Sequence, residues 1–471
     1  MGAPIGTQAY CAEFMASRVT KAKKTLDAIA RLEDPQVGLR LLRNCASFCK
    51  MVYAARTADP AAMQEPFAAF DKDVRSCFTE LTGFSPTDTE WTQAQLGLGH
   101  AGLGLRSAVR HAPAAYFASR VGTRHLCGQM DPAYVWDDNE PGSALSSALS
   151  ALAASLPPSK QALLQPSGTL KQKDLSDALD KVDFERRLAG AEAAVKAAVL
   201  SETLKGASGF ITAIPCKALR LCLEPAEFVV ELQRRLGAQI FDSDDFCPLC
   251  DTVMDTRGFH ASVCTCGGDK TAGHNAARSL VYHYASAAGC RPDLEPGGLL
   301  PPRPEDPEGS SLRRPADIYV PRWRGGTPAA LDLAITSPQR QSALALAANE
   351  AGAAAKLYEE HKKSFLDTEA QCAQQGISFI PVVAESSGGW GPSGLFVLRT
   401  LAKRAAAKDG VPASVCMSQL LEGLSIAVRR IAARAVLRRA APRADFAPLA
   451  ADTAASILAV DAAAAAAAAW Q

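Results

Sequence analysis

The sequence lacks any long apolar run. Hydrophobic residues make up 48% of its 471 residues, yet no stretch approaches the roughly 20 consecutive apolar residues that cross a bilayer. The N-terminal segment also lacks a basic region followed by an apolar one, the pattern of a secretory signal. We therefore expect an intracellular protein that is not secreted and has no membrane partner.

Neither sign of charge is in excess. The chain has 50 Lys and Arg residues against 49 Asp and Glu residues, a formal net charge of +1. This balance excludes a general electrostatic attraction to nucleic acid, so any such binding has to come from local basic patches. The length exceeds the roughly 250 to 300 residues at which a single core stops growing, which predicts several domains.

Hydrophobic periodicity divides the chain into a helical N-terminal half and a later α/β part, so the predicted fold class is α+β and multi-domain. Three short β-prone runs occur in the later part, at 317–320, 329–335 and 377–383, with a long helical stretch at 342–374 between the last two. The predicted segments are a helical region at 1–130, a helical linker region at 131–240, a cysteine-rich knuckle at 241–278, an α/β domain at 279–405, and a basic helix with an Ala-rich tail at 406–471.

Cysteine is abundant, with 14 residues, and its densest cluster has the spacing of a metal site. Cys247 and Cys250 form a CxxC pair, and His260 and Cys264 follow. Such a Cys3His set suits Zn²⁺ at tetrahedral geometry with no open position, so we expect a structural zinc that folds the segment. Cys266 in place of Cys264 remains open, as does a chance cluster that binds no metal.

Two β-prone runs flank Gly325 and Gly326 and predict a hairpin. Pairing symmetric about Arg324 and Gly325 sets Asp317 opposite Asp332 and Pro321 opposite Pro328. Two opposed carboxylates destabilise a sheet unless something compensates them. Mg²⁺ or Mn²⁺ does so, because hard cations prefer carboxylate oxygens and water. The alternative is that each aspartate caps a strand or faces solvent.

The segment 417–439 predicts an amphipathic helix with Arg430, Arg434 and Arg438 on one face. Such a helix either docks on the protein surface or contacts nucleic-acid phosphates. Both interpretations stay open at the level of sequence.

With knuckle and hairpin in this order, the chain resembles the C-terminal region of non-LTR retrotransposon proteins of the restriction-like endonuclease class. Those proteins carry a Cys-Cys-His-Cys knuckle, then a His-Asn dipeptide, then a PD-(D/E)xK-type nuclease. The matching elements are Cys247, Cys250, His260 and Cys264, then His274-Asn275, then Asp317 and Asp332. Residues 377–391 resemble the strand and loop that follow the catalytic residues, and 41–120 resemble the stretch after the polymerase palm.

The resemblance spans most of residues 35–440 and implies a DNA endonuclease that nicks a target strand with Mg²⁺ or Mn²⁺. It also implies a nuclear location, DNA as partner, and element RNA and a separate reverse transcriptase as further partners, since no polymerase motif is present here. In the family the nick exposes a 3′ end that primes reverse transcription.

One departure concerns the lysine. The plain motif places Lys two residues after Asp332, where this sequence has Ala334. In this class the following helix supplies the lysine, and Lys356, Lys362 and Lys363 are available there. The resemblance favours Lys362 with Tyr358 one turn before it, and Glu295 is a further candidate carboxylate. Ala334 favours the alternative of a catalytically inactive nucleic-acid-binding remnant. A third alternative, independent of Ala334, is a decayed gene fragment with no selected function.

Overall fold

The computed structural model describes residues 4, 6–136, 140–165, 170–302 and 313–440. As predicted, the protein is mixed α/β, about 61% helical with small sheets. It divides into two compact units, Met1–Ala191 and Glu192–Gln471. The Ala-rich segment at 441–471 and residues 303–312 lie outside the described residues.

The first unit is entirely helical over its described residues. Its α-helices are α1 (Gln8–Ala30), α2 (Pro35–Leu41), α3 (Val52–Thr57), α4 (Gln64–Thr82), α5 (Asp88–Gln95), α6 (Ala108–Met130), α7 (Ala144–Ser155) and α8 (Gln172–Ala189). Helices α1 and α2 are separated by a break before Pro35. Asp34 begins α2 by accepting the backbone N–H groups of Gln36 and Val37 at 2.9 and 3.1 Å, which satisfies donors that a helix start otherwise leaves free.

A buried carboxylate joins two parts of the first unit. Asp180 on α8 accepts the Arg106 guanidinium at 2.9 Å and the Gly97 N–H at 3.1 Å, and its other oxygen lies 3.4 Å from His111 Nε2. Burial opposes ionisation of Asp180, but His111 and Arg106 outweigh it and lower the pKa of this carboxyl. The cluster is enclosed and charge-compensated, as structural ion pairs are.

The second unit contains both the cysteine cluster and the hairpin. Its helices are α9 (Ala193–Ser201), α10 (Gly209–Thr212), α11 (Pro225–Leu236), α12 (Phe259–Val263), α13 (Asp269–Ala287), α14 (Gln341–Ala347), α15 (Ala353–Ser364), α16 (Thr368–Gln374), α17 (Pro392–Asp409) and α18 (Ala413–Ala440). Its strands are β1 (Asp245–Phe246), β2 (Val253–Met254), β3 (Asp293–Leu294), β4 (Ile318–Arg324), β5 (Thr327–Thr336) and β6 (Ser378–Glu385).

The larger sheet has the order β3-β4-β5-β6, with β3, β4 and β5 antiparallel and β6 parallel to β5. Successive residues of a strand point to opposite faces. Ala329, Leu331 and Leu333 of β5 belong to the main core, which the helices α13, α17 and α18 complete. Ala330 belongs to a smaller cluster with Cys372 of α16. By this alternation Asp332 lies on the smaller face.

Helix α18 runs through the interior of the second unit. Arg429 is fully buried, contacts Glu231 at 2.7 Å, forms an ion pair with Glu202, and lies over the Phe210 ring. Buried charges are tolerated only when paired in this way. Glu202 directly follows α9 and Glu231 lies on α11. Because both bond to Arg429 of α18, residues 192–240 fold with the knuckle and the sheet. The predicted linker region at 131–240 is therefore divided between the two units.

The structure corrects two details of the predicted α/β part. The helical stretch at 342–374 consists of three helices, because Gly352 with φ +81° and Leu366 with φ +52° interrupt it. The predicted boundary at 405 falls inside α17, which continues to Asp409.

The hairpin also departs from the predicted symmetry at its closed end. Arg324 pairs with Thr327 around the turn of Gly325 and Gly326, and the register shifts between Val320 and Arg324. The extra residues of β4 form a bulge, so Pro321 and Pro328 do not close a regular ladder.

Among the described residues, no helix combines the length and the apolar character needed to cross a membrane.

Candidate active site and metal centre

The cysteine cluster is built from short local elements. β1 and β2 pair as a two-stranded ribbon, and Cys247 and Cys250 lie in the turn that joins them. Asp255 then accepts the N–H groups of Phe259 and His260 at 3.0 and 2.8 Å. These bonds start helix α12 and orient His260 toward the two cysteines.

Four side chains converge at this point. The ligand atoms of Cys247, Cys250, His260 and Cys264 all lie within 4.8 Å of one another. Cys250 Sγ is 3.2 Å from His260 Nε2 and 3.7 Å from Cys264 Sγ. Thiolates bound about 2.3 Å from a tetrahedral zinc lie about 3.8 Å apart, so the donor set and its spacing fit Zn²⁺.

The thiols differ in their readiness to ionise. The Thr252 hydrogen bond lowers the pKa of Cys250 to about 7, whereas burial raises the pKa of Cys247. A thiolate is the form that binds metal. Cys266 stands outside the converging set, and its carbonyl oxygen accepts Arg439 at 3.1 Å. The geometry therefore favours Cys264 as the fourth ligand.

The two aspartates of the hairpin come together at its open end. Ile318 pairs with Leu331, and the Asp317 N–H donates to the Leu331 carbonyl at 3.0 Å. Asp317 precedes the first paired residue of β4, and its carboxyl group lies within hydrogen-bonding reach of that of Asp332. Asp317 Oδ2 accepts the Leu333 N–H at 2.6 Å, which fixes this carboxylate against β5.

The surroundings shift the pKa values of the two carboxyl groups in opposite directions. Burial raises the pKa of Asp332 to about 6, and the neighbouring Asp317 adds to the rise, against the opposing effect of Lys362. Burial would also raise the pKa of Asp317, but the hydrogen bond and charge of His274 outweigh it and lower this pKa. The pair therefore favours one ionised and one readily protonated carboxyl.

Lys362 is the lysine that reaches the aspartates. Its Nζ lies 2.7 Å from Asp332 Oδ2 and 5.9 Å from the centre of the Tyr358 ring one turn earlier on α15. The other two candidates have different partners. Lys356 forms an ion pair with Glu350, and Lys363 bonds Glu360 at 2.8 Å.

Glu295 contacts two arginines. Its carboxylate forms ion pairs with Arg278 and, at 3.2 Å, with Arg314. The Glu295 backbone N–H donates to the Asp317 carbonyl at 3.0 Å, so Glu295 lies next to Asp317. A role of its side chain as a further metal-site carboxylate stays a prediction.

His274 is the side chain that sequence reasoning assigned no role. Its Nε2 lies 3.2 Å from Asp317 Oδ1, because α13 packs along β5 and directs its second turn toward the start of β4. The only sequence signal was the His274-Asn275 dipeptide, and nothing in its spacing connects it with a residue 43 positions later.

The three arginines predicted on one face of α18 bond to other residues of the protein. Arg434 bonds Glu227 at 2.6 Å, Arg438 bonds Asp269 at 2.6 Å, and Arg430 donates to the carbonyl of Cys222 at 2.6 Å. Of the two interpretations of this helix, these contacts favour the docked one.

No family model matches the sequence. No curated protein matches it either.

Proposed function

We propose that the second unit is a metal-dependent DNA endonuclease of the PD-(D/E)xK type that nicks a target strand. The observation that carries the proposal is the contact of Asp317 and Asp332 at the open end of the hairpin, with Lys362 bonded to Asp332. A restriction-like domain would use such a pair as its acidic centre.

Asp317 and Asp332 would hold Mg²⁺ or Mn²⁺, with water and substrate oxygens completing the shell. The donor set fits, since Mg²⁺ in proteins commonly takes one or two carboxylates together with phosphate oxygens. The bound ion would supply an activated water and neutralise charge on the phosphodiester.

The remaining steps belong to the side chains. Lys362 would donate its Nζ hydrogens to the scissile phosphate or orient the attacking water. His274 holds Asp317 Oδ1 from α13 while the Leu333 N–H holds Oδ2. Tyr358, beside Lys362, limits the positions that the ammonium group takes.

The Cys3His cluster would bind a structural Zn²⁺. Its four donors leave no position for substrate. DNA is the proposed partner, and the resemblance to retrotransposon proteins extends the proposal to element RNA, to a separate reverse transcriptase and to a nuclear location.

The test is nicking of supercoiled plasmid in Mg²⁺ or Mn²⁺ by wild type, Asp317→Ala and Asp332→Ala. We expect the wild type to produce nicked circles and both variants to lose the activity, at least about 100-fold, because each removes a metal ligand. Asp409→Ala, which changes an exposed carboxylate at the end of α17, is the matched control and should nick like wild type. Glu295→Ala, assayed beside them, measures any role of that carboxylate.

A second candidate is a binding remnant without nuclease activity, which Ala334 in the position of the plain motif's lysine favours. It predicts salt-dependent DNA binding with no metal-dependent nicking. Nicking that persists in both aspartate variants would contradict the nuclease proposal, because the activity would not depend on the acidic pair.

A further inference from the structure

A row of cations begins at the carboxylate pair. Lys362 contacts Asp332, and the Tyr358 ring beside it has a second cation near it, because the Arg340 guanidinium lies 5.2 Å from the ring centre. Arg340 follows the end of β5 and precedes α14, and it is exposed to solvent. Lys362 and Arg340 thus both lie near the Tyr358 ring.

Lys270 continues the row toward the cysteine cluster. Lys270 lines a cavity with Thr336, four residues before Arg340, and the hydroxyl groups of Ser262 on α12 and Ser337 are 2.8 Å apart. Burial lowers the pKa of Lys270, and the positive charge of Arg340 lowers it further. Lys270 is on the first turn of α13, and its Nζ donates to the carbonyl of Val263 at 2.7 Å. Since Val263 ends α12, the fold of the cysteine cluster sets the position of this ammonium group.

No carboxylate compensates these two cations within the described part of the chain. Neither Lys270 nor Arg340 has an acidic group of the described residues within 4 Å. The acids near them in sequence have other partners, and Asp332, eight residues before Arg340, bonds Lys362 at 2.7 Å. Asp269 binds Arg438 and Arg439 at 2.6 and 2.8 Å, and Glu350 pairs with Lys356. Cys264 opposes the lowering of the Lys270 pKa, but neighbouring positive charges without a carboxylate partner are still unfavourable in the free protein and attract an anion.

The opposite sign of charge covers the outer side of the cysteine cluster. The β1–β2 ribbon and its flanks expose four aspartates: Asp242, Asp244, Asp245 and Asp251. This surface repels a polyanion, whereas the row of Lys270, Arg340 and Lys362 attracts one. A nucleic acid that reaches Asp317 and Asp332 is therefore directed along the row and away from the ribbon.

We propose that Lys270 and Arg340 bind the backbone phosphates of DNA next to the phosphate that lies at Asp317 and Asp332. This inference rests on the proposed function for its substrate. The cysteine cluster would contribute to binding indirectly, because the Val263 carbonyl holds Lys270 in position. The acidic β1–β2 ribbon would not contact the DNA. The contacts are to phosphates, so they provide affinity and register without base specificity.

The experiment measures the Kd of a fluorescein-labelled DNA duplex by anisotropy across a salt series, with Ca²⁺ replacing Mg²⁺. The variants are Lys270→Ala, Arg340→Ala and the double substitution. The matched control is Lys403→Ala, which removes an exposed cation on α17. Each loss of a phosphate contact should lower the slope of log Kd against log salt by about 0.9, and the double variant should lose about twice that. Lys403→Ala should keep the wild-type slope.

In the nicking assay the same two substitutions should raise KM and leave kcat near the wild-type value. Asp242→Asn with Asp245→Asn should not lower the slope. Zinc content and circular dichroism verify folding, and the solvent-exposed Arg340→Ala decides the matter if Lys270→Ala disturbs the cysteine cluster.

Failure of this phosphate-binding inference can be distinguished from failure of the nuclease proposal, because the first is measured by DNA binding and the second by nicking. Unchanged slopes in Arg340→Ala and the double variant overturn this inference even if nicking is intact. Reduced slopes in a protein that does not nick uphold it while the nuclease proposal fails. A wild type that binds no DNA, or binds only RNA duplexes, overturns it.

Discussion

The second unit contains two candidate metal sites that the chain constructs in different ways. All four zinc donors come from the segment between Cys247 and Cys264, where turns and one short helix arrange them. The acidic centre instead takes Asp317 from just before β4 and one residue each from β5, α13 and α15. Local spacing suffices for the first site, whereas the second depends on sheet register and helix packing.

The two sites also differ in the direction in which the protein shifts the pKa of a candidate ligand. Cys250 has a lowered pKa of about 7, which prepares it to bind a cation. Asp332 has a raised pKa of about 6, because it is buried beside another carboxyl. Metal binding would stabilise the first site, whereas the second has a buried carboxyl pair that disfavours its own ionisation. Three changes test this contrast.

The largest effect is expected from Cys250→Ser or Cys264→Ser. Loss of a thiolate should reduce zinc from one equivalent to none, and the coupled folding free energy is on the order of 10 kcal/mol in zinc-finger segments. Zinc stoichiometry by atomic absorption and thermal unfolding measure both consequences.

Cys266→Ser is the matched control for these cysteine variants. It should retain the full zinc equivalent, since Cys266 lies outside the converging donors. Zinc loss in Cys266→Ser with retention in Cys264→Ser would exchange the two assignments.

A smaller effect, confined to activity, is expected from Lys362→Ala. Removal of a group that stabilises charge at the reacting phosphate typically costs about 100- to 1000-fold in kcat. Because the acidic centre is formed by packing, the variant should keep its zinc and its melting temperature within a few degrees.

Lys356→Ala and Lys363→Ala are the controls, since both lysines pair with glutamates of their own surroundings. Single-turnover nicking rates compare the three. A loss in Lys363→Ala that equals the loss in Lys362→Ala would mean that the helix offers no unique lysine.

The smallest effect is on stability and depends on pH. The folded-state pKa of Asp332, about 6, lies above its ordinary value of 3.8. The folded protein thus holds a proton there that the unfolded chain has released, and this contribution to stability is lost as pH rises through about 6. Asp332→Asn removes the penalty and should stabilise the Mg²⁺-free protein by about 2 kcal/mol at pH about 7.5, with little difference at pH about 4.

Urea unfolding at the two pH values measures this difference, with Asp409→Asn as an exposed control. Equal stability of Asp332→Asn and wild type at both pH values would show that Lys362 fully compensates the aspartate.

Much of the architecture could be predicted from local patterns. The strands at Asp317–Val320 and Ala329–Ile335 and the turn at Gly325-Gly326 were predictable, because alternation and turn residues act over a few positions. The helix at α18 was predictable from its period. Its burial was not, because the partners of Arg429 are Glu202 and Glu231, some 200 residues earlier.

For the candidate sites the sequence by itself determined the converging Cys3His set and the nearness of Asp317 and Asp332, since turn and hairpin geometry follow from short-range spacing. Only the tertiary structure decided that Lys362 meets Asp332, that His274 meets Asp317, and that Arg340 and Lys270 stand in one row. Those contacts come from helices packed on a sheet, and packing between distant segments leaves no fixed interval in the sequence that a pattern could detect.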